Sequence, residues 1–245
     1  MSVSKGPTMQ ELRDDELDQL RSNLERVRDR IDAAAERSGR SPDDVQLIAV
    51  TKMVDAAVCR ALLDLGVTAL GESRPEVLVE KAQILGKSAP WHMIGHFQSK
   101  KIAKSLPDID FLHSVHNLDL LSRLDQKARD QERSKPLPVL IQVNVAEERA
   151  KQGFYLDEAI DAAEMADAFT HIEARGFMMM APHDADEDEL HDLFADLRDI
   201  RDDAGADRFP ELSMGMSNDF EEAITEGATM VRIGTALFDG LDRTR

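Results

Sequence analysis

The sequence predicts a single (β/α)8 TIM barrel of the α/β class. Three observations lead there. Short apolar runs alternate with amphipathic helical patterns eight times along 245 residues. The runs are too short and too apolar to face water, as in a parallel sheet covered on both faces. No glycine-rich dinucleotide fingerprint follows the first run, which disfavours the doubly wound open sheet that the same alternation would otherwise allow.

The elements follow in order. Residues 8–38 carry Leu12, Leu17, Leu20, Leu24, Val27 and Ile31 at helical steps among charges, with Gly39 as a stop and Pro42 beyond it. This leading helix is expected to cover one end of the fold, so that residues 1–44 form a leader and helix packed on a barrel of residues 45–245, one domain overall. The first strand, residues 45–52, is apolar at Val45, Leu47, Ile48, Ala49 and Val50 and ends on Lys52. Residues 55–64 read as a helix capped by Asp55 and stopped by Gly66. A strand at 67–73, a helix at 75–85 entered through Pro75, a strand at 91–95 and a short helix at 98–105 come next. Residues 111–115 and 138–145 are strands flanking a helix at 118–131, and a helix at 156–169 leads to a strand at 172–179. The helix at 186–203 buries one stripe of Leu190, Leu193, Phe194, Leu197 and Ile200. A strand at 212–214, a helix at 219–226 ending at Gly227, the eighth strand at 230–233 and a last helix opening at 235–238 complete the pattern.

Composition narrows the function. With 48 acidic and 30 basic residues and a formal net charge of -18, the surface repels nucleic acid and anionic membranes. No run approaches the ~20 apolar residues of a membrane span, and residues 1–10 lack the basic-then-apolar order of a secretory signal. The single cysteine, Cys59, can form neither an internal disulfide nor a thiolate metal site, which agrees with a reducing, cytoplasmic setting. The acids are mostly Asp and the bases mostly Arg, a bias suited to solubility in concentrated salt, where screening removes self-repulsion. No pair of histidines with i, i+4 spacing lies on a helix, as a metal site of that kind requires. The acidic run from Asp184 to Asp192 and the basic cluster Lys100, Lys101 and Lys104 read as solvated faces.

In a barrel of this kind the chemistry sits where the strands end. Lys52 ends the first strand; a half-desolvated lysine loses charge readily and its neutral amine condenses with aldehydes, although the same residue could simply reach from a strand end into water. Gly215-Met216-Ser217-Asn218 and Gly234-Thr235 follow strands seven and eight and open helices. Unpaired N–H groups at such starts attract phosphate, and phosphate sites in barrels lie after these two strands. Ser217 or Thr235 alone would serve equally as a helix cap; two such loops side by side favour a cradle. Arg232 lies within the apolar run Met230-Val231-Arg232-Ile233 and needs either a polar site, such as a ring nitrogen, or an ion pair with an acid such as Glu72. An amine, a phosphate cradle and an inward guanidinium suit a small molecule with an aldehyde at one end, a phosphate at the other and a pyridine nitrogen, which describes pyridoxal 5'-phosphate.

These residues sit in a series of segments: Leu47-Ile48-Ala49-Val50-Thr51-Lys52, Gly71-Glu72, Trp91-His92-Met93-Ile94-Gly95, Gln98-Ser99, Gln142-Val143-Asn144, Lys151-Gln152-Gly153, Arg175-Gly176-Phe177-Met178, Leu212-Ser213-Met214-Gly215-Met216-Ser217 and Val231-Arg232-Ile233-Gly234-Thr235. In that order, over residues 45–240, the chain resembles the pyridoxal phosphate homeostasis protein family. The resemblance implies a single barrel similar to the N-terminal domain of alanine racemase, without the racemase's second, all-β domain. It implies Lys52 as the Schiff-base lysine, Ser217, Gly234 and Thr235 as phosphate ligands, and Arg232 facing the pyridine nitrogen. The chain departs from the family at Ser73, where Asn is usual after Gly-Glu, and at His96, Phe97 and Lys100, which replace residues of a loop that commonly reads Gly-Pro-Leu-Gln-Ser-Asn-Lys.

The implied function is to bind and buffer pyridoxal phosphate, as a cytoplasmic monomer that serves apo-forms of enzymes using that cofactor, with little or no turnover. An arginine beside the ring nitrogen disfavours ring protonation and so weakens the electron sink. The one tyrosine, Tyr155, is expected on the surface, and no second acid/base group stands in for the missing domain. The competing readings are an amino-acid racemase or decarboxylase of the same fold, and an aldolase-like barrel using Lys52 without a cofactor.

Overall fold

Parallel strands too short to be stable alone are stabilised here by closure. In the computed structural model, which describes residues 11–86, 89–148 and 151–241, β1 (Gln46–Val50), β2 (Leu70–Glu72), β3 (Trp91–Met93), β4 (Phe111–Val115), β5 (Leu137–Gln142), β6 (Ile172–Met178), β7 (Glu211–Ser213) and β8 (Met230–Ile233) pair in sequence order into a closed barrel. Every pairing is parallel, and β8 returns to β1 with Arg232 opposite Ile48 and Ile233 opposite Ala49. Closure leaves no edge strand exposed.

Between the strands run α2 (Ala56–Asp64), α3 (Pro75–Leu85), α4 (Ile102–Ser105), α5 (Leu118–Asp130), α6 (Leu156–Met165), α7 (Glu187–Ala204) and α8 (Phe220–Thr225), with α1 (Asp14–Arg37) before the barrel. Local chemistry fixes their starts. The Asp55 carboxylate accepts from the Ala57 and Val58 amides at 2.9 and 3.0 Å, and Asn117 and Asp186 cap α5 and α7 in the same way. Pro75 opens α3, where its missing N–H costs nothing.

The main core lies between sheet and helices. Ala49, Leu70, Leu112, Ile141, Phe177, Leu212 and Val231 face it from the strands and are buried, each large side chain worth roughly 1.5–3 kcal/mol of transfer free energy. A smaller cluster of Ile48, Ala69 and Met230, with Ile94 and Phe111 against it, fills part of the barrel interior. Cys59 is wholly buried in the main core as filler, and its thiol is pushed up to about 11 by burial.

Two expectations are corrected. The last helix is a single 3-10 turn, Thr235–Leu237, which ends before Gly240 at φ +74. The leading helix does not cover an end of the barrel. It lies along the flank between α8 and α2: Arg30 pairs with Glu221 at 2.8 Å and stacks on Phe220, while Arg28 donates to the carbonyls of Leu65 and Gly66. α1 thereby takes the place that a helix after β8 would occupy. Periodicity shows that a helix exists but not which neighbours it joins. Residues 1–10 of the expected leader lie outside the described residues. Among the described residues no helix is long and apolar enough to cross a membrane.

Candidate functional site at the carboxyl end of the barrel

Thr51 and Lys52 follow β1 directly. The Thr51 amide donates to Gly71 O at 2.9 Å, and its hydroxyl donates to Glu72 Oε1 at 3.0 Å. The Lys81 ammonium, wholly buried, donates to Thr51 O at 2.7 Å and pairs with the wholly buried Glu72 carboxylate. The turn carrying Lys52 is thus pinned from below, while the Lys52 side chain is exposed. Glu72 is therefore committed to Thr51 and Lys81, and the ion pair with Arg232 that the sequence left open does not form.

The loops after β7 and β8 meet. Ser217 Oγ accepts from the amides of Gly234 at 3.3 Å and Ala236 at 3.4 Å, two N–H groups at the start of the turn that Thr235 opens. Thr235 itself is exposed. Gly234 lies against β1: a Cβ there would stand 3.2 Å from Val50 O, so the close approach of this turn to the strand that leads to Lys52 depends on glycine. Gly215 has φ +87, and a Cβ on it would stand 2.7 Å from that of Ala223. The Asp219 carboxylate accepts from the Met216 amide and fixes the first loop.

Arg232 is 4 % exposed and donates to Ser213 Oγ at 2.7 Å and to Met179 O at 2.8 Å. Both acceptors are neutral, and among the described residues no carboxylate forms an ion pair with it. Burial lowers its pKa to about 10, with Asp219 acting in the opposite direction. Five N–H donors on a rigid plane exceed these two bonds.

Lys52, Ser217, Arg232, Gly234 and Thr235 thus all stand at the carboxyl ends of β1, β7 and β8. Clefts lined by Arg40, Asp43 and Glu211 or by Arg28, Asp32 and Val67 lie at the opposite, amino-terminal end of the strands. Phe97 is buried in the main core, so its place in the divergent third loop is structural, whereas His96 and Lys100 are exposed. The backbone of Ser73 packs directly on Gly95, where a Cβ would stand 2.2 Å from Ser73 O. Tyr155 is 44 % exposed, Lys101 pairs with Glu76, and no cluster of metal ligands occurs among the described residues.

Sequence reasoning missed Lys81, although it lies four residues from both Val77 and Leu85 on the apolar face of α3. It assigned no role to His113, inside β4, or to Ser213, the last residue of β7, both wholly buried.

The residues suit pyridoxal phosphate: amides converge on one hydroxyl where a phosphate oxygen could share them, glycine keeps the turn open, and a buried guanidinium has donors to spare. Residues 16–242 match the family described as alanine racemase, N-terminal domain. A pyridoxal phosphate homeostasis protein of Escherichia coli (strain K12) is 36% identical over 94% of this chain and 100% of its own. PipY of Synechococcus elongatus PCC7942, solved with PLP bound, is 30% identical at a TM-score of 0.76, covering 89% of this chain and 99% of its own. An alanine racemase of Clostridium difficile 630 shares the fold at 18% identity and a TM-score of 0.68, over 93% of this chain and 59% of its own. The chain belongs to the pyridoxal phosphate homeostasis protein family, built on the alanine racemase N-terminal fold.

Proposed function

We propose that this protein binds pyridoxal 5'-phosphate and holds it in reserve as a cytoplasmic monomer, serving apo-forms of enzymes that need the cofactor, with little or no turnover of its own. The observation that carries this reading is the convergence of the loops after β7 and β8 on Ser217 Oγ, beside the strand that leads to Lys52. Lys52 supplies the amine that condenses with the aldehyde. Ser217, Gly234 and Thr235 hold the phosphate through N–H and O–H donors. Arg232 donates to the pyridine nitrogen.

When bound, the cofactor supplies an electron sink for carbanions at an amino acid Cα. Arg232 weakens that sink, because a protonated ring would bring two positive charges together in a buried place. Tyr155, the one phenol in the chain, is 44 % exposed and begins α6, which supports a surface role and not that of a second acid/base group. The reading as a carrier rests on these two residues. The single cysteine, free and buried, supports a reducing compartment.

Borohydride reduction of the loaded protein followed by peptide mapping tests the site: the label is expected on Lys52 and absent from Lys52→Ala. A Lys52→Ala variant that keeps its colour and ligand through gel filtration would overturn it. Incubating loaded protein with a panel of amino acids in deuterium oxide tests the carrier role, and rapid exchange at any Cα would replace it with a racemase or decarboxylase.

A further inference from the structure

Arg232 heads a hydrogen-bonded chain that crosses the barrel. Its Nη1 donates to Ser213 Oγ at 2.7 Å, Ser213 Oγ lies 2.8 Å from His113 Nδ1, and His113 Nε2 lies 2.8 Å from His92 Nδ1. The members come from β8, β7, β4 and β3, so the link from Ser213 to His113 spans the interior between strands that do not pair. Arg232 and His92 are 4 % and 5 % exposed, and Ser213 and His113 are wholly buried. The His92 ring stacks on Phe111 with centroids 5.2 Å apart and planes 16° from parallel.

The chain has a direction, set at the arginine end. A guanidinium only donates, so Ser213 Oγ must accept from it. The serine hydrogen then has His113 Nδ1 as the acceptor within reach. If His113 instead donated to Ser213, the hydroxyl would accept twice and its own hydrogen would be stranded in a buried place, which is costly. His113 accepting at Nδ1 carries its proton on Nε2 and donates to His92 Nδ1. His92 in turn carries its proton on Nε2. Burial keeps both rings neutral: it lowers His113 well below the usual range, with further contributions from His92 and Arg232, and lowers His92 to about 4. A doubly protonated His113 could not accept from Ser213.

We propose that His92 and His113, held as neutral Nε2–H tautomers, are positioning residues that lock Ser213 as an acceptor and so fix the plane of the Arg232 guanidinium. The tautomers follow from this geometry alone. The consequence for the cofactor, a ring nitrogen met by a guanidinium of fixed orientation, rests on the reading of the site given above.

The tautomers are read in the protein without cofactor, from long-range 15N–1H correlation spectra of the histidine rings, with His92→Gln and His113→Asn giving the assignments. Protonated Nε2 and bare Nδ1 are expected in both rings at neutral pH; an Nδ1–H tautomer in either overturns the proposed direction. Positioning is read in the loaded protein. His113→Leu and Ser213→Ala are each expected to shift the visible absorbance band and weaken pyridoxal phosphate binding about tenfold, the scale of one lost charge-assisted bond. His113→Asn, whose side-chain oxygen can still accept from Ser213, is expected to restore the band. Wild-type band and affinity in either Ser213→Ala or a folded His113→Leu overturn the positioning role. Failure of the wild type to bind pyridoxal phosphate would instead remove the proposed function and leave the tautomer result standing.

Discussion

Lys81 and Glu72 form an ion pair in which both side chains are wholly buried, directly beneath the turn that presents Lys52. Removing one partner of such a pair strands the other charge. Glu72→Leu and Lys81→Met are each expected to cost about 3–5 kcal/mol, and the double replacement to recover most of that loss. Urea unfolding of the four proteins measures it; a double variant whose loss equals the sum of the singles would mean that the two charges are independent.

Gly215 and Gly205 both have positive φ, +87 and +101, but a Cβ on Gly215 meets Ala223 and Phe220 whereas one on Gly205 meets nothing within 4 Å. Backbone strain alone should make Gly205→Ala cost about 1 kcal/mol, and added steric overlap should bring Gly215→Ala to about 3 kcal/mol. Equal losses in thermal unfolding would show that the loop after β7 yields freely.

His92 titrates at about 4 in the folded chain against 6.5 when exposed. Between those values the unfolded chain takes up a proton that the folded chain refuses. Stability from this group is complete above pH 6.5 and lost as pH falls towards 4, on the order of 3 kcal/mol. His113 is shifted in the same direction and adds to the slope. Unfolding free energies measured across this window should fall with acid, and a His92→Leu variant should show a shallower slope; an unchanged slope would place the titration elsewhere.

Ser217 is half-buried and its hydroxyl joins two loops. Ser217→Ala should change stability by less than about 1 kcal/mol while weakening pyridoxal phosphate binding about tenfold. Absorbance titration decides it. Undiminished affinity would remove this hydroxyl from the phosphate site.

A formal net charge of -18 repels itself at low salt, and screening shortens to about 3 Å in molar salt. The melting temperature should rise from low to molar KCl. A flat or falling profile would show that the acidic surface is not an adaptation to salt.

Much of the fold was legible because breakers bracket its elements. The ranges 75–85, 111–115 and 230–233 were read from sequence with the bounds that the structure gives to α3, β4 and β8. Ends were less legible: β1 stops at Val50 and β2 starts at Leu70, because pairing, not hydrophobicity, ends a strand. The chain from Arg232 to His92 was invisible for a related reason. Which inward residues meet across a closed barrel depends on register and stagger around all eight strands, and no spacing along the sequence encodes that. The Lys81–Glu72 pair was nearer to legible, since a lysine on the apolar stripe of α3 needs a buried acid.

Asn23, wholly buried in α1, donates to Leu237 O at 3.0 Å and Asp239 O at 2.8 Å. A helix more than two hundred residues away in sequence therefore braces the far side of the turn whose near side gathers amides around Ser217. Grip on a ligand and attachment of the first helix become one mechanical property: trimming Asn23 to alanine should loosen the anion without touching it.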